Sequence, residues 1–221
     1  MSRYTAEQIA AWREKDRRHH FHAMTSPRQH AAGAEGMFLT HAEGIYLRDA
    51  DGKRYVDALS GLGCVNIGYG NERVAEAAAT AMRELSYQNT YFGATNRWAC
   101  DLSEKIARHA PDGFERLFYA NSGSEANESA IKMAWHYWRL RGKPQKKRII
   151  TRELGYHGTT IFACSITGLQ HYHPQFALPL DTDLIGKIGP AYYWRDGGDL
   201  SPEEYAVRAA GELDQYITRV G

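Results

Sequence analysis

The heptapeptide Asn121-Ser122-Gly123-Ser124-Glu125-Ala126-Asn127 brings two hydroxyls and a glycine to the point where an apolar run gives way to a helical pattern. A helix start leaves backbone N–H groups unbonded and carries a partial positive charge. Glycine lets an anion approach the main chain there, and serine hydroxyls add further donors. The chemistry such a turn offers is phosphate binding. Ser122 followed three residues later by Glu125 also has the form of a capping box, so an ordinary capped helix competes for the same residues.

A second candidate is Gly155-Tyr156-His157-Gly158, directly after the apolar run 147–151. Ligands of α/β sheets gather where strands end at their carboxyl edge, which predicts that this tetrapeptide lies near the serine turn. An aromatic ring there can stack on a planar heterocycle, and the flanking glycines permit close approach. Taken alone, a Tyr-His pair in a loop is surface packing.

Other residues offer weaker chemistry. His19, His20, His22 and the pair His171/His173 suggest metal ligation, but no carboxylate or thiolate stands with them at ligand spacing; surface or pocket-lining roles are expected, and no metal. Gly61-x-Gly63 followed by Gly68 lacks the spacing of a dinucleotide loop. Cys64, Cys100 and Cys164 are odd in number and include no Cys-x-x-Cys pair, which points to a reducing, cytoplasmic setting.

The elements that must position these residues follow from periodicity. Thr5 and Gln8 form a capping box for a first helix to about Arg18. The runs 37–41, 45–49 and 54–59, divided by Ala42-Glu43-Gly44 and Ala50-Asp51-Gly52, predict a three-stranded antiparallel meander. Val74, Ala77, Ala78, Ala81, Met82 and Leu85, and then Ala99, Leu102 and Ile106, recur at helical spacing. The run 116–120 reads as a buried strand, followed by a helix striped with Ala126, Ala130, Met133, Ala134, Tyr137 and Trp138 and carrying a Glu128/Lys132 pair. Gly142 and Pro144 stop it before the strand 147–151. Strand, helix, strand predicts a βαβ unit in an α/β sheet. A last helix starts with Ser201, Pro202 and Glu204, with Gly221 at its C-terminal cap position. It lacks the strand that a crossover helix leads to.

The chain has 221 residues, with 27 lysines and arginines against 26 acidic residues. Near-neutral charge argues against nucleic acid or an anionic membrane as partner and favours a small molecule. The charged N-terminus has no signal-peptide core, and no apolar run approaches a bilayer's width.

Taken in order and spacing, the serine turn, Ala134-Trp135-His136-Tyr137-Trp138, Gly142-Lys143-Pro144-Gln145-Lys146-Lys147 and Gly155-Tyr156-His157-Gly158 resemble the class III (omega) aminotransferases. So do residues 36–57, 61–70 and 198–204, and the likeness runs from Thr5 to Gly221. The resemblance implies an α/β fold: an incomplete fold type I large domain, preceded by an N-terminal helix and the antiparallel meander of the small domain, divided as 1–66 and 67–221.

It further implies pyridoxal 5'-phosphate, with Ser122, Gly123 and Ser124 on its phosphate, Tyr156 stacked on its ring and His157 beside it. The implied reaction is ping-pong transamination through pyridoxamine phosphate, from an amine or omega-amino acid to a keto acid such as pyruvate. Gly63 stands where many amine-accepting members carry a pocket-lining tryptophan, which implies a wider substrate pocket. The segment 86–96, with Tyr87, Tyr91 and Phe92, matches one that reaches the neighbouring subunit's site, implying a homodimer. The family's Schiff-base lysine and ring-nitrogen acid fall beyond Gly221, so no catalytic residue is assigned here. A truncated chain inactive alone is expected, with a noncatalytic binding or assembly subunit, or an unrelated nucleotide-binding α/β protein, as the alternatives.

Overall fold

The computed structural model describes residues 4–34, 36–180 and 183–220, in two compact units that divide between Cys100 and Asp101. The first unit begins with α1 (Ala6–His19), whose capping box is formed as expected: Gln8 N–H donates to Thr5 Oγ1 at 3.2 Å, and Thr5 N–H to Gln8 Oε1 at 2.9 Å. A short α2 (Pro27–Ala31), capped by Ser26, precedes the meander β1 (Leu39–Glu43), β2 (Tyr46–Asp49) and β3 (Arg54–Val56).

These strands pair antiparallel in sequence order, with Glu43 opposite Tyr46 and Leu47 opposite Tyr55. Two carboxylates pin the turns that follow. Asp49 accepts from the Asp51 and Lys53 amides and from the Tyr55 hydroxyl, at 3.0, 2.9 and 2.7 Å. Asp57 accepts from the Leu59 and Gly61 amides and, at 2.7 Å, from the Tyr69 hydroxyl. The single turn α3 (Ser60–Gly63) follows, then the two amphipathic helices, α4 (Glu72–Leu85), capped by Asn71, and α5 (Arg97–Ala107), which runs across the unit boundary.

The second unit holds α6 (Gly123–Leu140), β4 (Ile149–Arg152), α7 (Ile161–Ile166), β5 (Ile185–Ile188), the turn α8 (Tyr193–Asp196) and α9 (Pro202–Val220). β4 and β5 run parallel, Ile149 opposite Ile185 and Arg152 opposite Ile188. The buried side chains gather on α7 (Ala163, Cys164, Ser165, Ile166), with Thr167 beyond it and Tyr205 and Ala209 on α9. Tyr205 joins α9 to the segment after β5, its hydroxyl donating to the Pro190 carbonyl at 2.8 Å and accepting from Tyr192 N–H at 2.9 Å. Ser201 and Glu204 close the capping box of α9, while Gly221 lies outside the described residues. No described helix is long and apolar enough to cross a membrane.

Two expectations are corrected. Residues 116–120 run without regular structure and join no ladder among the described residues; a strand exists only when a neighbour takes its backbone groups, and the parallel neighbour of β4 is β5. The Glu128/Lys132 pair gives way to a different use of Glu128, on the loop before α7.

Candidate active site

Ser122 is extended, at φ −152° and ψ 161°, and its Oγ accepts the Glu125 amide at 3.2 Å, which ends the backbone run and starts α6. The Glu125 carboxylate reaches back to Asn121 N–H at 2.8 Å, one residue before the cap. A cap uses a serine oxygen as acceptor and leaves its O–H free to donate. Ser124 is in the same condition, its Oγ accepting Thr159 N–H at 3.0 Å. The amides of Gly123 and Ser124 belong to the first turn, which has no intrahelical acceptors for them. A Cβ built at Gly123 would meet open space. The helix start therefore offers two hydroxyl protons and two amides around an open approach.

Residues 155–159 dock onto that same turn, so the two sequence candidates are brought together. Besides the bond from Thr159 to Ser124, Asn127 Nδ2 donates to the His157 carbonyl at 2.6 Å. Gly158 is buried at φ +129°, and a Cβ there would stand 2.3 Å from Ser124 Oγ and 3.0 Å from Ser124 Cα. No side chain fits this crossing. One residue further along α6, Glu128 Oε1 accepts from Thr160 Oγ1 at 2.7 Å and from the Ala163 amide at 3.3 Å, capping α7 from outside.

His157 is turned toward the sheet. Its Nε2 lies 2.7 Å from Thr151 Oγ1, and its amide donates to Thr167 Oγ1 at 3.0 Å. Lys187, opposite Thr151 on β5, donates to the Thr167 carbonyl at 3.5 Å. Tyr156 projects the other way in burial terms, 55 % exposed, with its ring centroid 5.8 Å from that of Tyr172. Sequence reading gave no individual role to Asn127, Thr151, Thr159 or Thr167. Of these only Asn127 carries a signal, an amide side chain in a helix where asparagine is a poor former.

The remaining candidates lie elsewhere. Gly63, in the first unit, is exposed at φ +81° with open space where a Cβ would stand, so its backbone conformation alone favours glycine. His173 is buried with Nε2 3.0 Å from the Cys164 carbonyl. All three cysteines are free, and burial pushes the Cys164 thiol pKa up.

The family model for class III aminotransferases matches residues 28–185. The chain is 39 % identical over 221 residues to the putrescine–pyruvate aminotransferase of Pseudomonas aeruginosa, covering 100 % of this chain and 48 % of that protein. It is 40 % identical over 211 residues to the diaminobutyrate–2-oxoglutarate transaminase of Halomonas elongata, covering 94 % and 45 %. Among solved structures, a transaminase from directed evolution by ancestral reconstruction superposes with a TM-score of 0.90 at 41 % identity, over 97 % of this chain and 47 % of that one. The omega transaminase of Pseudomonas jessenii in complex with PMP gives 0.87 at 34 %, over 94 % and 46 %. The chain thus spans about half the length of the curated relatives it matches.

Proposed function

This chain belongs to the class III aminotransferase family, and from that premise we propose that it serves pyridoxal phosphate-dependent transfer of an amino group from an amine or omega-amino acid to a keto acid such as pyruvate. The observation that carries the reading is the docking of residues 155–159 on the first turn of α6, which puts an anion cradle and an exposed tyrosine on one rigid support.

The cradle fits a phosphate dianion. Ser122 and Ser124 each retain a hydroxyl proton, the Gly123 and Ser124 amides point from a helix start, and nothing stands over Gly123. When bound, pyridoxal phosphate supplies an electron sink for the carbon from which a proton is removed. The chain's own part is to hold and orient: the serines fix the phosphate, Tyr156 covers the ring, and His157, tied to Thr151, sets the height of the loop that carries Tyr156. We keep residues 1–66 as the small-domain segment and 67–221 as the cofactor-binding portion. Gly63 opens the donor pocket, and the exposed Tyr87, Tyr91 and Phe92 support a homodimer as the working assembly.

The lysines of this chain are not placed as Schiff-base residues in the proposal. Lys187 is bonded to a carbonyl, Lys146 lies 4.1 Å over the Trp138 ring and Lys53 4.9 Å over Tyr55. These 221 residues alone are accordingly proposed to hold the cofactor without turning over.

Titrating the chain with pyridoxal phosphate and with pyridoxal tests the cradle. Charge-assisted hydrogen bonds of about 1.5–3 kcal/mol each predict binding weaker by about tenfold or more without the phosphate. The double variant Ser122→Ala/Ser124→Ala, which keeps the two amides and loses the two hydroxyls, should narrow that gap. Equal affinity for the two compounds in the unaltered chain would remove the anchor from the proposal, and one stoichiometric borohydride-fixed lysine would overturn the inactivity.

A further inference from the structure

The transaminase reading leaves one cluster of metal-ligating side chains unused, in the first unit. Asp16 stands in the last turn of α1, His22 lies two residues beyond the helix cap at His20, and His30 sits on α2. Asp16 Oδ2 is 3.0 Å from His22 Nε2 and 3.0 Å from His30 Nε2, and one ligand atom from each of the three residues falls within 4.8 Å of the others. We infer that Asp16, His22 and His30 form a binding site for a divalent transition-metal ion of the zinc class.

Two imidazole nitrogens and a carboxylate oxygen are the donor set that such an ion takes, with a fourth position left for water. Bonds of about 2.0–2.1 Å in a tetrahedron hold neighbouring ligand atoms roughly 3.3 Å apart. The two separations from the carboxylate, 3.0 Å each, are close to that, and the third lies within 4.8 Å, so the ion enters with a small adjustment of the cluster. Each ring binds as a neutral imidazole, with Nε2 turned from the carboxylate to the metal and its one proton carried on Nδ1.

The fourth place has two occupants at hand. His20 Nδ1 lies 2.9 Å from Asp16 Oδ1, and the cluster borders a cavity of about 540 Å³ lined also by Thr25, Ser26 and Gln29. Arg17 borders the same cavity but is bonded to Glu14. All three ligands are partly exposed, His30 least at 16 %, so an ion can reach them from solution. The three residues lie on α1, on α2 and on the link between them, so the ion cross-links the two ends of that segment. This site involves none of the residues given to the cofactor.

The test uses the whole chain, stripped with EDTA and titrated with Zn²⁺ by calorimetry and with Co²⁺ by visible absorption. One site per chain is expected, with the intense ligand-field bands of four-coordinate Co²⁺. Loss of a ligand should weaken binding at least about as much as loss of an outer-shell partner, tenfold or more, in His22→Ala and in His30→Ala. His109→Ala, remote in sequence and exposed two residues beyond the end of α5, should bind as the unaltered protein does. No binding, or binding that the His22→Ala/His30→Ala double variant retains, overturns the site. If those variants fail to fold, the histidine ring ¹⁵N resonances of the unaltered chain decide: Zn²⁺ must shift Nε2 of His22 and His30, and shifts confined to other histidines overturn the inference.

Discussion

Replacing Gly158 by alanine tests whether the loop really is locked onto α6. The added Cβ would stand 2.3 Å from Ser124 Oγ and 3.0 Å from Ser124 Cα, and the second of these is backbone that cannot swing aside. The residue is also held at φ +129°, a region that costs a side-chain-bearing residue about 1–3 kcal/mol. The loop relieves both by lifting, which breaks the bonds from Thr159 to Ser124 and from Asn127 to His157. At about 0.5–1.5 kcal/mol each, those two bonds are together worth about 1–3 kcal/mol. Lifting exchanges part of one cost for part of the other, so the net loss expected is about 2–4 kcal/mol. The control is Gly123→Ala, where the Cβ meets open space and alanine's helix preference makes the change neutral or stabilising by up to about 1 kcal/mol. Urea unfolding followed by circular dichroism reads both, as midpoints at unchanged slope. If the two variants agree within about 0.5 kcal/mol, the close crossing of Gly158 and Ser124 is wrong.

Two further outcomes follow from the same contacts. Tyr205→Phe removes the partner of the half-buried Pro190 carbonyl and of the Tyr192 amide and should cost about 0.5–1.5 kcal/mol per bond, with faster hydrogen exchange at Tyr192. The Asp49 carboxyl is held below its ordinary pKa, chiefly by the Tyr55 hydroxyl and then by the Lys53 and Asp51 amides. Its stabilisation is therefore complete above the unfolded value near ~4 and is lost as pH falls through the lower folded one. Melting temperature should drop more steeply below about pH 4 in the unaltered chain than in Asp49→Asn; parallel slopes would count against the assignment.

What could be read from sequence was what local chemistry decides. Ser122 starts α6 because a hydroxyl at that position accepts an amide three residues on, and Thr5 and Ser201 start their helices in the same way. The meander was legible because Gly44 and Gly52, at φ +56° and +83°, mark its turns. What escaped depends on partners distant in sequence. Residues 116–120 have a strand's composition but no ladder, whereas β5 was missed because Gly186 and Lys187 interrupt its apolar pattern. Gly186 is needed there, since a Cβ would stand 2.3 Å from the Tyr216 hydroxyl of α9. The histidines near the N-terminus had a carboxylate within reach after all: Asp16 is one helical turn before His20, but only the fold brings His30 to it.

The external cap that Glu128 places on α7 has a mechanical consequence. Ser124, Asn127 and Glu128 stand at i, i+3 and i+4 on one face of α6, a rise of about 6 Å, and each grips a different stretch of the chain between His157 and Ala163. A loop held at three separate points cannot swing about any one of them. A displacement of α6 carries the tyrosine and the serine cradle by the same amount, so the distance between them is set once, by helix pitch, and is unaffected by motions that reposition the unit as a whole.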